Sequence, residues 1–239
     1  MEQYRIADIE IALECKKDGR TYRQASNYLS PGGKPCLMEI NITDEFLNNM
    51  QKENPHLSFD ECEYISTGYE FCKKLLDLGG FMLHSSAVAY ENKAYLFSAA
   101  PGTGKSTHTE IWQQVFGKDK AVIINDDKPV IKGDKDEFYA YGTPWSGKTD
   151  KNSNVKIPLQ GICFLERGKT NHIERISSKE AIMLILNQTV RPPEINVMDK
   201  LLIIIDGLLK KVPVYRLYCN MEDEAAIVSY EGMKDGKTD

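Results

Sequence analysis

The spacing of hydrophobic residues predicts β-strands at the beginning of the chain. Residues 37–42 alternate between apolar and polar side chains, and residues 4–13 do so more loosely, which is the period of a half-buried strand. Thr43 can cap a short helix, because two acidic residues follow it and acidic side chains stabilise the positive end of a helix dipole. We therefore expect residues 1–57 to form a small N-terminal β-rich module.

Two capping-box patterns predict helices in the rest of the chain. Ser58 stands three residues before Glu61, so a helix is expected to begin there and to end at the glycine pair 79–80. Ser177 and Glu180 have the same spacing and predict a second helix. Apolar residues at helical spacing predict a third helix, over residues 197–209. Short apolar segments predict strands over residues 121–124, 138–141, 157–165 and 212–217.

The chain between residues 81 and 98 predicts an antiparallel hairpin. Two apolar segments, 81–90 and 94–98, are separated by only three polar residues. A connection this short permits antiparallel pairing, whereas a parallel crossover needs about a dozen residues or more. Together with the helices and strands described above, this hairpin predicts that residues 58–239 form an α/β domain.

Composition and charge narrow the classes of protein that fit the sequence. Lys and Arg total 30 and Asp and Glu total 35, so the net charge is −5, and we expect neither nucleic acid nor a membrane as a partner. The longest apolar run is too short to span a bilayer, and the first residues lack the features of a signal peptide. Six scattered cysteines without a C-x-x-C pair indicate reduced thiols. These features predict a cytoplasmic protein.

The most informative segment is a glycine-rich loop between an apolar strand and an amphipathic run. Its glycines allow backbone N–H groups to surround phosphate oxygens, and the following helix adds the positive end of its dipole. Lys105 is expected to reach the β- and γ-phosphates of ATP, and the Ser106 hydroxyl to bind Mg²⁺. The full P-loop pattern begins with glycine, where this chain has Ala99. The residues predicted to bind the nucleotide are Pro101, Gly102, Thr103, Gly104, Lys105, Ser106 and Thr107.

Two aspartates and a histidine are expected to complete this site. Asp126 and Asp127 follow the predicted strand 121–124, and a carboxylate at the tip of a strand beside a P-loop suits Mg²⁺ bound to a nucleotide. Two adjacent carboxylates allow one to bind metal and the other to accept a hydroxyl proton. The predicted hairpin brings His84 to the end where the loop begins. The alternatives are a solvated turn for the acidic pair and a structural role for His84.

With these residues the chain resembles the superfamily of HPr kinase/phosphorylase and ATP-dependent phosphoenolpyruvate carboxykinase. Its members share a histidine before the P-loop, a Gly-x-Gly-Lys-Ser/Thr loop and a strand that ends in paired aspartates. Here these are His84, residues 102–106, Asp126 and Asp127, and His-Ser-Ser-Ala is particularly similar to the carboxykinase His-Cys-Ser-Ala. The resemblance covers residues 80–130 specifically. It implies a P-loop core with a mixed, largely antiparallel sheet, on which the small N-terminal β-rich module packs.

The resemblance also implies roles for the site residues. Asp126 is expected to act as the base towards the acceptor hydroxyl, while Asp127 and Ser106 bind Mg²⁺, and Lys105 takes part in catalysis. The roles of the two aspartates can be exchanged. The histidine binds a divalent metal in the carboxykinases and lies beside the catalytic aspartate in HPr kinases, so His84 is expected either to bind metal or to tune the base.

The activity implied by the resemblance is that of a kinase of the serine type. ATP and Mg²⁺ are the expected cofactors, and the acceptor is a hydroxyl, expected to be a serine of a small protein or peptide. The chain has no counterpart of the HPr kinase signature Glu-Ile-Arg-Gly-Leu-Gly. Three alternatives remain: a small-molecule kinase, a carboxykinase-like enzyme that acts on an acid, and a nucleotide-binding regulatory protein without transfer activity. Because HPr kinases are hexameric, a homo-oligomer is a further expectation.

A loop at residues 143–148 and several arginines are further candidates for contact with acceptor or phosphate. The loop is interpreted either as a lid, in which Lys148 contacts phosphate and Trp145 shields the site, or as an ordinary β-turn with Trp145 in the core. Three arginines are possible phosphate clamps, namely Arg167, Arg175 and Arg191. We select Arg191, because it lies in the junction between two predicted helices.

Overall fold

The computed structural model of the protein describes residues 1–236, which form a small sheet, a larger sheet and helices. The strands in this part are β1 (Glu2–Ile6), β2 (Ile9–Leu13), β3 (Met38–Ile40), β4 (Gly80–Met82), β5 (Ser85–Tyr90), β6 (Lys93–Ser98), β7 (Val122–Asn125), β8 (Val130–Asp134), β9 (Glu137–Tyr141), β10 (Lys156–Arg167), β11 (His172–Arg175) and β12 (Val214–Cys219). The α-helices are α1 (Arg20–Ala25), α2 (Asp44–Glu53), α3 (Phe59–Leu75), α4 (Lys105–Phe116), α5 (Ser178–Asn187), α6 (Ile195–Leu209) and α7 (Asp223–Met233). Within residues 1–236, none of the helices has the length and apolar character needed to cross a membrane.

The small sheet consists of β1, β2 and β3. β1 and β2 are antiparallel and are joined by Ala7 and Asp8, whose φ angles of 53° and 64° form a tight turn, while β3 is parallel to β2. The prediction of strands in this region is confirmed, but the prediction did not include α1. The reason is that α1 receives its N-terminal cap from a distant residue: Asp60 Oδ1 accepts a hydrogen bond from the Arg20 N–H at 2.7 Å.

The larger sheet is mixed and largely antiparallel, as expected. Its strands follow the order β4-β8-β9-β10-β6-β5-β7, and β12 pairs with both β10 and β11. Two pairs in this sheet are parallel, β10 with β6 and β10 with β12. The others are antiparallel, because short turns connect several of the strands.

The predicted hairpin is formed by β5 and β6. Tyr90 pairs with Lys93, and the two residues between them, Glu91 and Asn92, have φ angles of 49° and 61°. Positive φ at both central residues is the turn geometry whose twist matches that of paired strands. The far end of the hairpin pairs Ser85 with Ser98. The residue before β5 therefore lies at the edge where β6 leaves the sheet.

Three neighbouring strands, β6, β10 and β12, run parallel and end at the same edge of the sheet. Ser98 at the end of β6 is paired with Phe164 of β10, and Arg167 at the end of β10 is paired with Cys219 at the end of β12. Ligands in open α/β sheets bind outside the carboxyl ends of parallel strands. This edge is therefore the part of the fold to search for a binding site.

Helices cover both faces of the larger sheet. On one face, α4 and α7 contribute to a buried cluster in which Trp112 packs against Tyr95 and Phe97 of β6. On the other face, α5 and α6 contribute Ile185 and Leu201 to a second cluster. Because each helix buries its apolar side against the sheet, the parallel strands are fully covered, as parallel strands in proteins usually are.

A third buried cluster joins the small sheet to α3 and to the larger sheet. It contains Ile11 of β2, Phe71 and Leu75 of α3, and Tyr141 of β9. The predicted helix over this region is confirmed, and the Ser58 capping box is present at its start. The division into units at residues 1–57 and 58–239 stays a prediction, and its last three residues, 237–239, lie outside the described residues.

The six cysteines are unpaired thiols, as the sequence predicts. Three of them are buried, namely Cys62, Cys72 and Cys163. Burial raises the pKa of each of these thiols above its ordinary value, because the apolar surroundings disfavour the thiolate.

Candidate functional site

The glycine-rich loop joins β6 to α4 at the carboxyl edge of the parallel strands. Gly102 has a φ of 75° and Gly104 a φ of 118°, a region that residues with a Cβ rarely adopt. Because Gly104 directly precedes α4, the first N–H groups of the helix have no partner within it and can bind an anion. The other predicted nucleotide-binding residues of the loop and first turn are exposed or half-buried, namely Pro101, Thr103, Ser106 and Thr107.

Lys105 is the first residue of α4, and its side chain is buried beneath the loop. Its Nζ donates a hydrogen bond to the carbonyl oxygen of Ala99 at 3.1 Å. Burial lowers the pKa of the ammonium group, while the charges of Asp127 and Asp126 act in the opposite direction. The lysine therefore lies within electrostatic reach of both carboxylates.

Asp126 is buried and connected to the first turns of α4 by hydroxyl groups. Its Oδ1 accepts a hydrogen bond from Ser86 Oγ at 2.7 Å, and Ser86 Oγ also lies 2.7 Å from Thr109 Oγ1. Since the single proton of the Ser86 hydroxyl goes to Asp126, the contact with Thr109 is one in which Ser86 accepts. The Ser86 hydroxyl therefore orients the Asp126 carboxylate and is itself held by Thr109 of α4.

Asp127 is more accessible than Asp126 and faces His84. The His84 Nε2 lies 3.4 Å from Asp127 Oδ1, and the Asp127 side chain is 25% exposed. On its other side the ring is held by Gln188, whose Oε1 lies 3.0 Å from Nδ1. The Gln188 contact therefore holds the ring so that Nε2 faces the carboxylate. The two groups can bind a divalent cation between them.

A turn around Asn125 holds the acidic pair at the end of β7. The Asn125 Oδ1 accepts hydrogen bonds from the N–H groups of Asp127 and Lys128, and its amide nitrogen donates to the carbonyl oxygen of Thr143. The turn chemistry that the sequence offered as an alternative is therefore present together with the candidate site. Asparagine at this position arranges the backbone so that the two carboxylates point in different directions.

The prediction that Trp145 contacts an acceptor is wrong. Its side chain is fully buried, is stacked on Phe71 with ring centroids 4.8 Å apart, and donates from Nε1 to Thr67 Oγ1 at 3.3 Å. The alternative, a core residue in a turn, is what the structure has. The physical reason is that Gly68 leaves a flat surface on α3, and the indole ring lies against it.

The structure does not bring Lys148 or Arg191 into contact with the loop or the acidic pair. Both side chains are exposed. The charge of Lys148 acts on Glu61 of α3, whose carboxyl pKa is lowered mainly by hydrogen bonds from Ser58 and only weakly by this lysine. Their proposed contacts with phosphate or acceptor stay predictions.

Arg167 is the arginine that adjoins the glycine-rich loop. Its Nη2 donates to the carbonyl oxygen of Gly102 at 2.9 Å. Sequence reasoning considered Arg167 but selected Arg191, and it gave no role to Ser86 or Gln188. The signal for Arg167 is its place at the end of β10, since the carboxyl ends of neighbouring parallel strands meet at one edge. Ser86 and Gln188 carry no comparable signal, because their contacts are long-range.

Three cavities adjoin these residues, and neighbouring ones share lining residues. The first has a volume of about 250 Å³ and lies between Thr107 of α4, Arg167 and Asn220. The second, of about 430 Å³, shares Arg167 with the first and Gln188 with the third. The third, of about 280 Å³, includes His84 in its wall. The loop therefore borders the first two cavities through Thr103, and His84 borders the third.

Comparisons with known proteins found only a distant structural similarity. No protein family profile matches it, and no curated protein sequence does. Among the solved structures that match is the Hpr(Ser) kinase/phosphatase from Coxiella burnetii, with 9% sequence identity and a TM-score of 0.37, over 64% of this chain and 97% of that chain. This similarity is too distant to assign a reaction or a ligand.

Proposed function

We propose that the protein is a Mg²⁺- and ATP-dependent kinase that transfers the γ-phosphoryl group to a hydroxyl. The observation that carries this proposal is the convergence of four features at one edge of the sheet. These are the glycine-rich loop with its open helix N-terminus, the buried Lys105, the acidic pair, and the His84–Gln188 contact. Phosphoryl transfer depends mainly on positioning and charge stabilisation, which are what these groups supply.

The loop and its neighbours fit the triphosphate of ATP. The positive φ of Gly104 lets the loop turn into α4 without a side chain beside the phosphates, so the helix N–H groups can donate to phosphate oxygens. Lys105 adds a desolvated positive charge. The cavity between Thr107, Arg167 and Asn220 adjoins the loop on the side away from His84, so we assign the nucleoside to it. Arg167 would then lie beside the phosphates, where a guanidinium stabilises negative charge.

The donor set around Asp126 fits Mg²⁺ bound to a nucleotide. Within residues 1–236, no three His, Cys, Asp or Glu side chains converge on a point, so the protein would supply few ligands and the phosphates the rest. A carboxylate held in a fixed orientation by the Ser86 hydroxyl suits that role. When bound, the metal ion would neutralise charge on the phosphates.

We assign the base to Asp127, which exchanges the roles that the sequence suggested for the two aspartates. Asp127 is the more exposed carboxylate and lies beside the His84 cavity, which leaves it free to accept a proton. The acceptor oxygen forms a bond to the γ-phosphorus as the bond from that phosphorus to the ADP oxygen breaks, and the hydroxyl proton passes to the Asp127 carboxylate. His84, held by Gln188, keeps the Asp127 carboxylate in position.

Two conservative variants test this assignment. Asp127→Asn should keep its affinity for Mg-ATP in calorimetry but lose transfer by about 10²–10⁴-fold, because it removes the base. Asp126→Asn should instead weaken the Mg²⁺-dependent part of nucleotide binding. Asp199→Asn is the matched control, since Asp199 is exposed on α6 away from the loop. Transfer is measured with γ-labelled ATP and a cell extract from the source organism, with the phosphorylated species identified by mass spectrometry.

The outcomes of these measurements separate the proposal from its rivals. Absence of heat with Mg-ATP would overturn the proposal altogether. Tight Mg-ATP binding without transfer to any component of the extract would favour a regulatory nucleotide-binding protein. A small phosphate ester as the labelled product would identify a small-molecule kinase, and loss of rate in Asp126→Asn without loss of affinity would restore the roles that the sequence suggested.

A further inference from the structure

The cavity at His84 adjoins an apolar groove between α2 and α3, which we name the α2–α3 groove. The groove has a volume of about 490 Å³, and both it and the cavity are lined by Ile65 and Tyr69. These two residues are 40% and 39% exposed, and Phe46 of α2, which also lines the groove, is 55% exposed. Adjoining exposed apolar residues mark an interaction surface. The groove therefore places such a surface beside the cavity that His84 lines.

A cation without a partner lies where the cavity meets the site. Lys128 directly follows the acidic pair, is half-buried, and lines the cavity together with His84. Its Nζ forms no hydrogen bond or ion pair with any residue in the described range 1–236. By contrast, Lys74 of the groove donates a hydrogen bond to the Glu39 carbonyl oxygen. A half-buried ammonium group of this kind provides a place for a carboxylate of a ligand.

The wall of the cavity opposite α3 is held in place by long-range hydrogen bonds. Thr189 Oγ1 donates to the carbonyl oxygen of Met82 at 2.7 Å, and the His84 N–H donates to the carbonyl oxygen of Gln188 at 2.8 Å. These bonds anchor the segment after α5 against the strands. A preformed wall lowers the entropic cost of binding a flexible ligand.

We infer that the acceptor is a peptide segment whose apolar side chains bind the α2–α3 groove and whose carboxylate pairs with Lys128. This inference rests on the proposed function and names the class of its acceptor. A hydroxyl close to that carboxylate reaches Asp127, because Lys128 and His84 line the same cavity. A free amino acid or sugar alcohol would occupy the cavity alone and make no use of the groove. The carboxylate belongs either to an acidic side chain or to the C-terminus of the peptide.

A peptide library provides the test. Serine-centred peptides with one varied position at a time are incubated with the protein and γ-labelled Mg-ATP, in one set with a free C-terminus and in another with an amide. We expect at least a tenfold preference for apolar residues on one side of the serine and for a carboxylate on the other. The two sets distinguish an acidic side chain from a C-terminal carboxylate, since only the former survives amidation.

Variants assign the two preferences to their residues. Replacing both Phe46 and Tyr69 by alanine should remove the apolar preference and raise the peptide KM about tenfold or more, and Lys128→Met should remove the preference for a carboxylate. The matched controls are Ile203→Ala, an exposed apolar residue on α6, and Lys118→Met, an exposed lysine, and both should leave the preferences unchanged.

The result that overturns the inference differs from the result that overturns the proposed function. If Mg-ATP binds and a phosphorylated product forms in the extract, but the library shows no preference or no incorporation, the groove does not bind the acceptor and the kinase proposal stands. Preferences that persist in both variants would have the same meaning. If Mg-ATP does not bind, the kinase proposal itself is wrong.

Discussion

Replacing Gly68 by alanine is expected to destabilise the protein, although this change usually stabilises a helix. Gly68 lies within α3, and a Cβ at this position would be 2.9 Å from Cδ1 and 3.0 Å from Nε1 of Trp145. The indole ring cannot move away easily, because it is fully buried, stacked on Phe71 and hydrogen-bonded to Thr67. The added methyl group therefore overpacks the core.

The size of the effect follows from two opposing contributions. Glycine to alanine in a helix interior gains about 1 kcal/mol from helix propensity. Overpacking a well-packed core costs about 1–3 kcal/mol, and the closest contact at Gly68 is short enough to place it in the upper half of that range. The expected net loss is about 1–2 kcal/mol, which corresponds to a fall in Tm of about 2–8 °C for a protein of this size.

Gly207→Ala in α6 is the matched control. Its added Cβ would meet only Phe138 Cζ, at 3.8 Å, which is an ordinary van der Waals contact. This variant should gain up to about 1 kcal/mol. Urea unfolding followed by circular dichroism measures both variants against the parent chain. A Gly68→Ala variant that is as stable as the parent, or more stable, would show that the packing of Trp145 on α3 is not as described.

Two further predictions concern local features of the fold. Burial lowers the pKa of His108 to about 3, so below pH 6.5 the unfolded chain binds a proton that the folded chain does not. The free energy of unfolding therefore decreases as the pH is lowered, by up to about 1.4 kcal/mol per pH unit. His108→Gln should reduce the change in urea midpoint between pH 7 and pH 5, whereas the control His56→Gln should not, and equal slopes in the parent and both variants would contradict this account. Ser58→Ala removes a reciprocal capping box and should cost about 1 kcal/mol, whereas Ser177→Ala removes a single capping bond and should cost less. Equal urea midpoints for the two serine variants would refute that ranking.

Much of the fold could be predicted from local pattern. The start of α3, the hairpin of β5 and β6, and the course of α5 and α6 follow from caps, from a short connection and from apolar spacing, all of which act within a few residues. The elements that were missed lack such signals. α1 is capped by Asp60, forty residues away, and α7 begins at Asp223 after an N-cap residue, Glu222, that makes no side-chain capping bond.

The candidate site divides in the same way. The loop before Lys105, the acidic pair and His84 were selected from the sequence as candidates, because their residue types and spacing are typical of phosphate and metal sites. Their partners were not. Arg191 was preferred to Arg167 on the sequence, but the pairing of β10 with β6 brings Arg167 to the loop.

The sequence by itself determined which backbone conformations the chain adopts locally, since glycines with positive φ, caps and apolar spacing act on near neighbours. Only the tertiary structure decided which side chains meet. Trp145 lies in the core rather than at the site because Gly68, far away in the chain, leaves room for its ring. Asp127 faces His84, while Asp126 faces α4, because strand order and register set these contacts, and they depend on the packing of the whole sheet.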